Sequence, residues 1–141
     1  MTDIYNLQRF LAAQEGVIDI VYRELSGGRK ASHWMWFVFP QIAGLGRSET
    51  ARRFAISSRD EAVAYLDHSI LGSRLTRCTE AVNAVRSRTV EEIFGYPDDL
   101  KFHSSMTLFA AVSPDGRAFH AALAQYFGGD ADPLTVQLLS S

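Results

Sequence analysis

Two short stretches of this sequence hold side chains able to do chemistry together. One is Lys30-Ala31-Ser32-His33-Trp34, and the other is Asp98-Asp99-Leu100-Lys101-Phe102-His103-Ser104-Ser105. Each sets a lysine, a histidine and serine beside an aromatic residue, and no other part of the chain does. The lysines are the telling residues: of 14 basic side chains only Lys30 and Lys101 are lysine, and the rest are arginine. If the two stretches converge, they present ammonium charge, hydroxyls, imidazole and an indole face to one ligand. That set suits an anionic, flat molecule such as a nucleotide or a ribose-phosphate derivative. In such a site Lys30 and Lys101 hold phosphate, Trp34 stacks on the base or sugar, and Gln41, Ser104 and Ser105 complete the binding set. Asp98 or Asp99 stabilises a developing oxocarbenium or activates water, and His33 moves the proton. An N-glycosidase acting on an ADP-ribose-type compound has this kind of machinery.

Each of these residues also has a plainer use. Trp34 and Trp36 are two apart, about 200° around a helix, so one of them belongs to the core. Trp36 is the one expected inside. Lys30 follows a helix end, where the helix dipole favours a cation. Ser104 and Ser105 fit a helix in which each hydroxyl bonds back one turn. Asp98 and Asp99 fit the cap of that helix. A function of a different class also fits: the aromatic run WMWFVFP (34–40) lines a groove for a partner helix or peptide, or for a second copy of the chain as a homodimer.

The elements that must position these residues are helical nearly throughout. Asp3 opens a first helix that runs to Leu25 at helical spacing and stops at Gly27-Gly28. Ser58-Arg59-Asp60-Glu61 and Thr89-Val90-Glu91-Glu92 read as capping boxes. A longer helix covers 69–87, another runs from Leu100 to about Val112, and Arg117 to Phe127 forms one more. Asp132-Pro133 launches the last. The sum is an all-α, compact single domain over 1–141, with about seven helices and a short extended aromatic segment near 34–40.

Composition narrows the partners. With 47% hydrophobic and 21% charged residues, the chain reads as soluble and globular. A formal net charge of −2 gives no bulk attraction to nucleic acid or to an anionic membrane. Cys78 is the one cysteine, so there is no internal disulfide and no cysteine-based zinc site. No histidine pair has metal-ligand spacing, and no glycine-rich nucleotide motif occurs. No metal and no cofactor are therefore expected. The N-terminus lacks the basic start and apolar run of a signal peptide, and no stretch nears the ~18 apolar residues of a membrane span. A cytoplasmic location is the expectation.

Four blocks tie the sequence to a known family: LQRFLAAQ (7–14), GRKASHWMWFVFPQIAGLG (28–46), EAVAYLDHSILGSRL (61–75) and IFGYPDDLKFHSSMTLF (93–109). They closely resemble the bacterial family catalogued as domain of unknown function 1810. Its members are sometimes labelled calpastatin, a label with no physical support in these residues. The likeness falls on Lys30, His33, Trp34, Trp36, Pro40, Gln41, Gly44, Gly46, Asp98, Lys101, Ser104, Ser105, Met106 and Thr107. It departs at Asp67-His68-Ser69, where the family pattern has histidine followed by proline. The resemblance implies a mostly helical fold and one site made of both lysine stretches. It implies no particular ligand or activity.

Overall fold

Residues 98–112 are apolar around most of their circumference, and that pattern belongs to a helix with neighbours on all sides. The computed structural model, which describes residues 3–140, puts this helix at the centre. Phe102, Met106, Leu108 and Phe109 are fully buried in it. Among the described residues the chain forms ten helices and no strand. They are α1 (Gln8–Gln14), α2 (Ile18–Ser26), α3 (Met35–Val38), α4 (Glu49–Arg53), α5 (Arg59–Asp67), α6 (Leu71–Asn83), α7 (Val90–Phe94), the central α8 (Asp98–Val112), α9 (Arg117–Phe127) and α10 (Pro133–Leu139). One isolated parallel bridge joins Ile42 to Ile56. Helix α8 packs against α5, α7, α9 and α10, while α6 packs against α2, α5 and α9.

The all-α class is as expected, but the count is higher than seven for two physical reasons. The first predicted helix breaks at residues 15–17, where Gly16 takes a left-handed φ of 78°, and becomes α1 and α2. Asp3 still marks its start, accepting the amides of Leu7 and Gln8 at 2.8 and 2.9 Å. The aromatic run, expected to be extended, winds instead into α3, with Val38 N–H on the Trp34 carbonyl and Phe39 N–H on that of Met35. Winding puts Trp34, Met35, Val38 and Phe39 into the core and leaves Trp36 and Phe37 half-buried. An extended segment would have alternated its faces and split that apolar set.

Aromatic packing then fixes α3 to the central helix. The Phe39 ring meets Phe102 edge-on at 5.1 Å between centroids, and Phe94 of α7 stacks on Phe102 at 4.7 Å. Trp34 completes the cluster against Phe39 at 6.1 Å. The loop before α3, the end of α7 and the first turns of α8 are thereby brought to one place.

Candidate functional site

The residues between α2 and α3 would be a free loop but for Glu24, in the last turns of α2. Its carboxylate accepts the amides of Ala31 and Ser32 at 2.7 and 3.0 Å, the Trp34 indole Nε1–H at 2.9 Å, and the Ser32 hydroxyl. The amide of Lys30 donates to the carbonyl of Ile93 in α7 at 2.7 Å. Held at both points, the loop directs the Lys30 ammonium to Asp98, 2.8 Å from Oδ2. One turn further along α8, Lys101 reaches the other oxygen, Oδ1, at 3.0 Å. The chain's two ammonium groups thus share one carboxylate. Each also lies over an indole: Lys30 Nζ is 5.1 Å from the Trp34 ring centroid, and Lys101 Nζ is 4.2 Å from that of Trp36. Burial alone would raise the Asp98 carboxyl, but the hydrogen bonds and charges of the two lysines outweigh it and hold its pKa below the ordinary aspartate value.

The other residues expected in the site go to varied places. Trp34 is 2% exposed and packed on Phe39, so its indole is a wall behind Lys30 with no face left for a ligand. The expected roles of the two tryptophans are reversed: Trp36 is the half-open one. His33 is exposed and makes none of the cluster's hydrogen bonds. Ser104 turns away, donating to Asp132 at 2.9 Å and to the Leu100 carbonyl at 3.2 Å. Ser105 is fully buried with its Oγ unpaired, on the same α8 stripe as Asp98 and Lys101. Asp99 is 8% exposed with Oδ1 unpaired. Neither aspartate caps α8: Pro97 holds the cap position with no side-chain bond. Of the run 34–39, Trp36 and Phe37 stay half-buried and the other four residues are buried.

A second feature adjoins Trp36. A cavity of about 120 Å³ is bounded by Trp36, Gln41, Gly46, Ala51, Arg52 and Phe54. Gly46 is obligatory here, because a Cβ at that position would stand 2.5 Å from the Ala51 Cβ and 3.1 Å from the Trp36 ring. Gln41 is 7% exposed, and its Nε2 is buried without a partner. Sequence reasoning named Gln41 but missed Glu24, Trp36 and Arg52. For Glu24 a signal existed: it is the one acid between residues 20 and 48. Arg52 is one arginine among many and carries no such mark.

The comparisons with known proteins agree with the fold. No curated protein matches the chain. The crystal structure of the conserved hypothetical protein Rv1873 from Mycobacterium tuberculosis is similar to it at 55% identity, with 99% of each chain covered and a TM-score of 0.97. Residues 4–139 match the family described as protein of unknown function (DUF1810). With the match running nearly from end to end, the chain belongs to that family.

Proposed function

We propose that the chain binds a small anionic molecule at the Lys30–Asp98–Lys101 cluster. One observation carries this reading: two ammonium groups from distant segments share a single carboxylate. The trio holds two positive charges against one negative. Lys30's side chain is only 9% exposed, so part of this excess charge is kept from water. Charge held that way is costly unless a counter-charge lies close. An oxyanion at the open edge, where Lys101 and Asp98 are 22% and 19% exposed, supplies it. The indoles beneath both ammonium groups restrict them and lower the entropy cost of binding. A phosphate fits these requirements, and a nucleotide adds a flat part for Trp36.

The finer reading, cleavage of an N-glycosidic bond, has less support. Asp98 stays ionised, as an oxocarbenium stabiliser must, but two ammonium groups offset its field. Asp99 is nearly enclosed, and His33 lies outside the cluster's hydrogen bonds. Binding is the function this geometry favours.

Calorimetric titration of AMP and inorganic pyrophosphate into the protein and into Lys101→Met tests it. Methionine keeps the unbranched stem over Trp36 and removes the charge. The expected result is binding that weakens at least about tenfold in the variant, and also as salt is raised, since one lost ion contact is worth roughly that much. Equal affinity in both proteins, or no heat with either probe, overturns the reading. Release of free base from NAD or from ADP-ribosyl compounds would restore the glycosidase alternative.

A further inference from the structure

The cavity beside Trp36 has three properties that together describe an occupant. Its walls are mostly apolar and partly flat, with the Trp36 indole and the Phe54 ring among them. Its one buried polar side chain is Gln41, whose backbone carbonyl is already used by the Ile56 amide at 2.8 Å, while its Nε2 has no partner. A buried amide donor left unpaired is unfavourable, and an acceptor atom on a ligand relieves it. Its volume of about 120 Å³ is smaller than the engineered apolar cavity of ~150 Å³ that takes up benzene. One six-membered ring fills it, and a fused two-ring base overfills it.

The cavity also shares a wall with the lysine cluster. The Lys101 ammonium sits on the Trp36 ring, and the far edge of the same indole, at Cζ3 and Cη2, meets the Gly46 position at the cavity. Arg52 stands exposed at the cavity's rim.

We propose that this cavity is a subsite for a single six-membered nitrogen heterocycle with an exocyclic carbonyl, such as a pyrimidine base, whose oxygen accepts from Gln41 Nε2. Joined to the anion reading, on which this second step rests, the ligand is a pyrimidine-type nucleotide: ring in the cavity, phosphate at Lys30 and Lys101, Trp36 between them. The ring subsite itself does not depend on the lysines.

Four probes separate the two claims: uracil, UMP, AMP and ribose 5-phosphate. Each is titrated calorimetrically and followed by ¹H–¹⁵N NMR of the Gln41 side-chain amide and the Trp36 indole N–H. Base stacking alone is worth about 1–3 kcal/mol, so UMP is expected to bind at least ~5-fold more tightly than ribose 5-phosphate. UMP also binds more tightly than AMP, and free uracil shifts both NMR signals. Gln41→Leu is expected to bring UMP down to the affinity of ribose 5-phosphate while raising the melting temperature, because it removes an unpaired buried donor. Ala55→Leu, which fills the cavity from its half-buried wall, gives the same loss of UMP without touching Gln41. The subsite is overturned if UMP binds no better than ribose 5-phosphate, if AMP matches UMP, or if both variants keep full UMP affinity. Uracil shifts with no ribose 5-phosphate binding would sink the anion reading alone. No response to any probe sinks both.

Discussion

Glu24 shows how much one side chain can organise. Burial by itself would raise its carboxyl, but the Ser32 hydroxyl, the Ala31 amide, the Trp34 indole and the Ser32 amide all donate to the charged form and hold its pKa at about 2. Its ordinary value is 4.5. A carboxyl depressed in the folded state contributes stability above its unfolded pKa and loses it as pH falls through the folded one. Glu24's share is therefore complete above about pH 4.5 and drains away toward pH 2, and Asp98 acts in the same direction. Because Glu24 keeps some contact with solvent, its share is about 1–2 kcal/mol and not the full value of the shift. Urea unfolding of Glu24→Gln is expected to show that loss at pH 7 and a shallower fall in stability between pH 5 and pH 3. A variant as acid-sensitive as the parent would show that the loop is held by something else.

At the scale of elements, what the sequence reveals depends on whether the cause is local. The capping box at Thr89 is local, and it is present in full, with the Thr89 hydroxyl accepting from the Glu92 amide and the Glu92 carboxylate from the Thr89 amide. At Ser58 the box is half present. The serine accepts from the Glu61 amide, but the Glu61 carboxylate goes to Ser57, one residue before the cap, and to Arg9 at 2.8 Å, a partner no local pattern specifies. The two lysines were legible as a pair because they are rare and similarly surrounded. Which tryptophan faces inward was not legible: helical winding separates Trp34 from Trp36 without choosing between them, and the choice is made by Phe39, Phe102 and Glu24 from elsewhere. The junction of α5 and α6 has local causes again. His68 Nδ1 accepts the amides of Ile70 and Leu71, each at 3.2 Å, and so caps α6 where the family pattern differs. Gly72 then lies so close to α5 that a Cβ would stand 2.1 Å from the Leu66 carbonyl oxygen. Backbone cannot yield as a side chain can, so Gly72→Ala is expected to destabilise by about 3 kcal/mol, the upper range for overpacking, and to lower the melting temperature by ~6–12 °C. An unchanged melting curve would mean that the two helices are not in this contact.

Across the whole molecule, α8 carries the candidate site at one end and anchors the C-terminal segment along its side. Asp132 is the joint. Its carboxylate Oδ2 accepts the hydroxyls of Ser104 at 2.9 Å and Thr135 at 2.6 Å, and its amide donates to Thr107 Oγ1 at 2.9 Å. His103 adds to the same seam, stacked on Phe127 at 3.9 Å and bonded to the Asp130 carbonyl at 2.7 Å. The serine that looked like a ligand contact thus serves a partner 28 residues further on, which is why its neighbours in sequence gave no hint of it. The segment held there has its own reach: Leu138 of α10 lies against Gly44, in the loop that walls the cavity, with 3.2 Å between Leu138 and a Cβ placed at Gly44. Releasing α10 therefore loosens the cavity loop before it disturbs the lysine cluster. Asp132→Ala leaves the Thr135 hydroxyl buried without an acceptor and Ser104 with the Leu100 carbonyl alone, at a cost of about 1–3 kcal/mol. Hydrogen exchange is expected to quicken in α10 and in residues 41–47, with the amides of 30–34 and the first turns of α8 protected as before. Exchange that quickens equally in all of these would make the tail part of one cooperative unit with the cluster. Faster exchange in α10 alone would show that Leu138 does not support the cavity wall.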